Sequence, residues 1–162
     1  MEQTIMILTD FSIDSLYLVK KALDDYEDQS VNILMVHGVD VSSYPSDLLF
    51  FSKSVLYSKL VSEEFKEACS VLRNRYSSRI NSFRFDFFTG FTNAAFGNFL
   101  EGNKVDKIYV AGNFQSRHLS GMSADITGFV RKCKTEKVEV NYVTSEEGPV
   151  SGQLARLFQM NA

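Results

Sequence analysis

The chain has 162 residues, 44% of them hydrophobic and 23% charged, and a net charge of −3. That is enough for one domain to bury a core without metals or disulfides, and it excludes wholesale disorder. It gives no general attraction to nucleic acid or an anionic membrane. Cys69 and Cys133 belong to no CxxC pair, which argues against a disulfide framework or a zinc site and for a reducing compartment. Met1-Glu2-Gln3-Thr4 carries no basic n-region, and the apolar run from Ile5 to Leu8 is too short for a signal or membrane helix, so a cytoplasmic location is expected.

Residues 4–9 read as a fully buried strand that ends in the polar cluster Thr9-Asp10-Phe11-Ser12. Ser12 stands at a helix N-cap, Asp14 lies in the first turn, and Leu16, Val19, Leu23 and Tyr26 follow at helical spacing. Residues 31–36 form a second buried strand that closes on His37-Gly38. A loop through Pro45 leads into one long helix, with the stripe Phe65, Ala68, Leu72 and Tyr76 continued upstream by Leu60 and Leu56. Phe83, Phe85 and Phe87 alternate with Arg84 and Asp86, which predicts an edge strand with one wetter face, ending at Thr89-Gly90. Thr92 caps a short helix that stops at Gly102-Asn103.

Residues 107–112 predict a fourth strand. Ile126, Phe129, Val130 and Cys133 mark another helix, and residues 138–143 a fifth strand. This alternation implies a five-stranded parallel, doubly wound α/β sheet, with ligands beyond the carboxyl ends of its strands. We expect that domain to span residues 1–144. Residues 145–162 then read as a linker and a short C-terminal amphipathic helix with Val150, Leu154, Leu157 and Phe158 on one side.

Ile7-Leu8-Thr9-Asp10-Phe11-Ser12, Asn32 through Asp40, Gly90 and Val105 through Gly112 resemble, in order and spacing, the strand ends of universal stress proteins. The resemblance covers residues 4–143. It implies the strand order 3-2-1-4-5, a Rossmann-like fold of the adenine nucleotide alpha hydrolase kind, and a homodimer built on the last strand. It places the nucleotide pocket at Thr9, Asp10, Phe11, His37, Gly38, Gly112, Asn113, Gln115 and Asp125.

The departures from that family bear on function. Its ATP-binding members carry glycine, two residues, glycine, nine residues, then glycine and serine or threonine after the fourth strand. Such glycines let backbone amides approach phosphates. Here Gly112 keeps the first position, Gln115 takes the second, and the final pair falls near Ala124-Asp125, where a carboxylate opposes a triphosphate. Gly38 follows the histidine where the family has a residue of the adenine pocket. Gly121 and Ser123 leave a shifted loop as an alternative.

Asp10 reads either as a group that holds ribose or magnesium or as a bond to loop amides, the latter favoured. A haloacid dehalogenase-like phosphatase needs an acid where Ser12 stands, and a response regulator needs one where Thr89-Gly90 stand. Ser116, Ser120 and Ser123 have no assignable histidine–acid partner, and His37 and His118 no metal-ligand spacing, so no catalytic or metal residue is assigned. Phe50, Phe51 and Phe114 are candidates to fill the pocket. Arg73, Arg75, Arg79 and Arg84, like Arg131, Lys132, Lys134 and Lys137, read as solvated helix faces and ends, with a surface for an acidic protein partner as the alternative.

The expected function is a non-enzymatic stress or signalling module with weak or absent ATP binding. No cofactor is assigned, although ATP or another adenine nucleotide stays open. The alternatives are an ATP-binding member with a shifted loop and an adenine-nucleotide hydrolase or transferase that relies on Asp10. The expected assembly is a homodimer through residues 138–143 and the C-terminal helix.

Overall fold

The structure, a computed structural model, describes residues 2–40, 53–112 and 123–141. Five strands alternate with helices: β1 (Gln3–Leu8), α1 (Leu16–Asp25), β2 (Val31–Gly38), α2 (Lys53–Leu60), α3 (Glu63–Arg75), β3 (Ile80–Phe88), α4 (Asn93–Gly102), β4 (Lys107–Ala111), α5 (Thr127–Lys132) and β5 (Glu136–Val140). All are parallel, in the order β3-β2-β1-β4-β5. This is the order that the resemblance implied.

The central strand β1 shows why a continuous apolar run is needed. Ile5 and Ile7 point into one core with Ile33, Met35, Tyr109 and the buried faces of α1 and α3. Met6 and Leu8 point into the other, with Leu34, Val36, Ile108, Phe96 of α4 and Val130 of α5. With helices on both faces, alternate side chains meet protein either way, and Ile5 through Leu8 are all apolar. Among the described residues, β3 and β5 form the two edges.

Local signals fix most helix starts. The Ser12 hydroxyl accepts the Ser15 amide at 3.2 Å and opens a short 3₁₀ turn, Ile13–Ser15, that leads into α1. The Thr92 hydroxyl accepts the Ala95 amide at 3.0 Å at the start of α4. The single long helix expected through Leu56 and Tyr76 is two helices. Ser62 has extended backbone and caps α3 through the Phe65 amide at 3.1 Å, so the chain breaks at Val61-Ser62 while Leu56 and Phe65 stay in one core. β5 begins two residues earlier than expected. Tyr142, Val143 and residues 145–162 lie outside the described residues, as do Phe50, Phe51, Phe114 and His118.

The arginines read as one basic face divide. The Arg79 guanidinium donates to the Leu23 and Tyr26 carbonyls and so finishes α1. Arg73 lies over the Phe83 ring at 5.4 Å, and Arg84 reaches Asn103 Oδ1 on the other side of the sheet at 3.0 Å. Among the described residues, no helix is long and apolar enough to cross a membrane.

Candidate functional site

The carboxyl ends of β1 and β2 meet the segment that precedes α5. Residue 9 is where the polar groups begin. The buried Thr9 amide donates to the Val36 carbonyl at 2.9 Å and extends the β1–β2 ladder by one bond. Its hydroxyl oxygen accepts the Phe11 amide at 3.0 Å and lies 2.8 Å from Ser15 Oγ. The Ser15 hydroxyl already donates to the Ser12 carbonyl at 2.7 Å. Thr9 must therefore donate to Ser15, and the loop is held by a directed chain of bonds.

Asp10 turns back on its own loop. Its Oδ1 accepts the Ser12 amide at 2.9 Å and the Ser12 hydroxyl at 2.5 Å, the Asx-type arrangement that favours the structural reading of this acid. Phe11 takes a left-handed backbone, φ 62°, which costs a non-glycine residue free energy. Packing compensates for it. The ring is buried against His37 at 4.6 Å, Phe65 at 5.7 Å, Phe87 at 6.2 Å and Phe85 at 6.3 Å between centroids. Phe11 thus fills space beside the strand ends, a role the sequence reading gave to other phenylalanines.

His37 is 1% exposed and uses both ring nitrogens. Nδ1 lies 2.8 Å from the Thr9 carbonyl oxygen, and Nε2 lies 2.9 Å from Ser123 Oγ. A carbonyl can only accept, so the proton sits on Nδ1 and the neutral ring accepts the Ser123 hydroxyl at Nε2. Burial lowers the His37 pKa, against the opposing effects of the Thr9 bond and the Asp10 charge.

Gly38 explains how residues 123–126 reach this place. A Cβ on Gly38 would lie 2.5 Å from the Ala124 carbonyl oxygen and 2.6 Å from Ile126 Cγ2. Only glycine admits that approach. It is fixed by the Ala124 amide bonded to the Gly38 carbonyl at 2.9 Å and by an antiparallel bridge between Val39 and Ser123. Asp125 then turns away from the strands: Oδ1 accepts the Thr127 amide at 2.9 Å and the Thr127 hydroxyl at 2.7 Å as α5 begins.

The structure thus brings together Thr9, Asp10, Phe11, His37, Gly38 and the segment that carries Asp125. Gly112 stands at the end of β4 and faces β5 instead: its amide donates to the Val140 carbonyl at 3.0 Å, and Asn141 Oδ1 sits where a side chain would be. Asn113 and Gln115 lie outside the described residues. Ser123 is the functional-type residue that sequence reasoning left without a partner. It is separated from His37 by 86 positions, and no local pattern could join them.

No protein-family model matches the chain, and no curated protein does. Solved structures do match. Hypothetical protein MJ0577 is 16% identical over 88% of this chain and 98% of its own, with a TM-score of 0.55. Universal stress protein UspA from Lactobacillus plantarum is 15% identical over 85% of this chain and 97% of its own, with a TM-score of 0.49. A universal stress protein in complex with cAMP is 17% identical over 85% and 96%, with a TM-score of 0.47. The chain shares its fold, a five-stranded parallel sheet with helices on both faces, with hypothetical protein MJ0577.

Proposed function

We propose that the protein is a universal stress protein-like stress or signalling module that acts by binding rather than by nucleotide turnover, and that it holds ATP weakly or not at all. One observation carries this reading. The face that Gly38 leaves open at the end of β2, which would thin an adenine pocket, is taken by the Ala124 carbonyl and the Ile126 side chain. Two others support it. Both nitrogens of His37 are engaged within the protein, and Asp125 brings a carboxylate to the start of α5, where a phosphate would need amides and no negative charge. The two free cysteines suit a cytoplasmic setting.

Isothermal titration with Mg-ATP tests the reading, and no binding at low micromolar concentration is expected. A dissociation constant in that range, about −8 kcal/mol, overturns it in favour of a shifted loop through Gly121 and Ser123. If the loop is the cause, Gln115→Gly with Asp125→Gly raises the affinity.

The same reading includes a homodimer through residues 138–143, with the C-terminal segment over the joint. Its support is that, among the described residues, β5 pairs with β4 alone and carries Val138 and Val140 at the edge of the sheet. Light scattering should report twice the chain mass, and a monomer at high micromolar concentration removes the dimer.

A further inference from the structure

Ser123, His37 and the Thr9 carbonyl make a second arrangement out of groups that the nucleotide reading treats only as walls. The order is hydroxyl, imidazole, fixed acceptor: Ser123 Oγ lies 2.9 Å from His37 Nε2, and His37 Nδ1 lies 2.8 Å from the Thr9 carbonyl oxygen. A nucleophile within reach of a base, which is oriented in turn by a third group, is the geometry that activates a serine. Here the third group is a backbone oxygen, and it sets the tautomer that leaves Nε2 free to take a proton. Phe11 packs on the imidazole at 4.6 Å and the Val39–Ser123 bridge holds the serine, so neither partner swings away. His37 is buried, but Ser123 is only partly covered.

We propose that Ser123 is an activated nucleophile, with His37 as its general base, that accepts an acyl group from an ester or thioester donor. Charge selects the acyl class. The charged residues on the segments that meet at the pair, 9–12, 37–40 and 123–125, are Asp10, Asp40 and Asp125. The Asp10 carboxylate, whose charge bears on His37, opposes a phosphoryl dianion, whereas a neutral carbonyl meets no such penalty.

In the reaction Ser123 Oγ bonds to the acyl carbon while its proton passes to Nε2. The bond from that carbon to the leaving oxygen or sulfur breaks, and the Nε2 proton goes to the leaving group. His37 ends neutral, as it began, and nothing is oxidised or reduced. The Ala124 amide, next after the nucleophile, is committed to the Gly38 carbonyl at 2.9 Å, so it is not available to stabilise the oxyanion. Arrival and hydrolysis of the acyl group both pass through such an oxyanion, so both steps are slow. The site is a covalent acceptor, and acylation removes the hydroxyl that ties residues 123–125 to His37.

The test incubates the full chain with p-nitrophenyl acetate, and in parallel with an acetyl thioester of a small thiol, without nucleotide. Intact mass and peptide mapping follow the label. One acetyl group on Ser123 is expected, absent in Ser123→Ala. In His37→Gln, which keeps polarity but cannot take the proton, the rate falls about 100-fold or more. Cys69 does not compete, since burial pushes its thiol up to about 12. In the wild type the rate levels off once His37 is neutral. A label confined to lysines, the amino terminus or Cys133 overturns the proposal, as does a His37→Gln rate equal to wild type. Should that variant not fold, a wild-type rate that climbs about tenfold per pH unit through the alkaline range overturns it as well, because hydroxide and not His37 would then be the base. Failure here leaves the ATP titration untouched, and the reverse holds too.

Discussion

The two ends of the sheet solve the same problem in opposite ways. Both must satisfy backbone and side-chain polar groups where strands stop. At the amino end, Asn81 Nδ2 donates to Asn32 Oδ1 at 2.8 Å and to Glu2 Oε1 at 3.2 Å, Ser82 Oγ reaches the same Asn32 oxygen at 2.8 Å, and Asp106 Oδ2 accepts the Thr4 amide at 2.8 Å. Most of these groups are at the surface, where water replaces each bond at little cost. At the carboxyl end, Thr9, Ser15 and His37 are 1% exposed or less. The bonds between the fully buried groups, such as Thr9 with Ser15 and His37 with the Thr9 carbonyl, have donors and acceptors that water cannot readily replace. The difference teaches where sequence change is tolerated, and it marks the carboxyl end as the place where a lost atom changes shape as well as stability.

The comparison breaks first at Gly38. Gly38→Ala puts a methyl against the Ala124 backbone oxygen at 2.5 Å, and neither side is a flexible side chain that can swing clear. A loss of about 1–3 kcal/mol in urea unfolding is expected, with the 123–126 segment displaced. A loss below about 0.5 kcal/mol, the usual scatter of surface changes, means the two segments are not held together as described.

A smaller and more specific effect is expected from pH. Burial is the main cause of the lowered His37 pKa, so the folded state resists a proton that the unfolded chain accepts near pH 6.5. The unfolded state then binds more protons, and stability is complete above that pH and declines as pH falls toward the folded-state pKa. Wild type should lose stability between pH 7.5 and 5.5, and His37→Gln should lose less over the same interval. Parallel curves for the two proteins place the sensitivity elsewhere.

The smallest effect belongs to the amino end. Asn81→Ala removes two exposed bonds and should change unfolding free energy by no more than about 0.5 kcal/mol. A loss comparable to that of Gly38→Ala erases the contrast between the ends.

Periodicity was enough for the fold because it is a local record of burial. The run Ile5-Met6-Ile7-Leu8 can only be a strand covered on both sides, the alternation of Phe83, Phe85 and Phe87 with Arg84 and Asp86 can only suit an edge, and Ser12 and Thr92 announce helices by their own hydroxyls. The break at Ser62 was missed because an apolar stripe runs on through it, from Leu56 to Phe65. The sequence by itself therefore determined the strands, most of the helices, the faces and the parallel sheet. It also brought Thr9, Asp10, His37 and Gly38 to one end of that sheet. Only the tertiary structure decided that Phe11 bends into a left-handed turn to fill the aromatic cluster, that Gly38 is a landing place for Ala124, and that Ser123 meets His37. The reason is distance along the chain. A hydrogen bond between residues 86 positions apart depends on the path of every loop between them, and composition and spacing carry no record of that path.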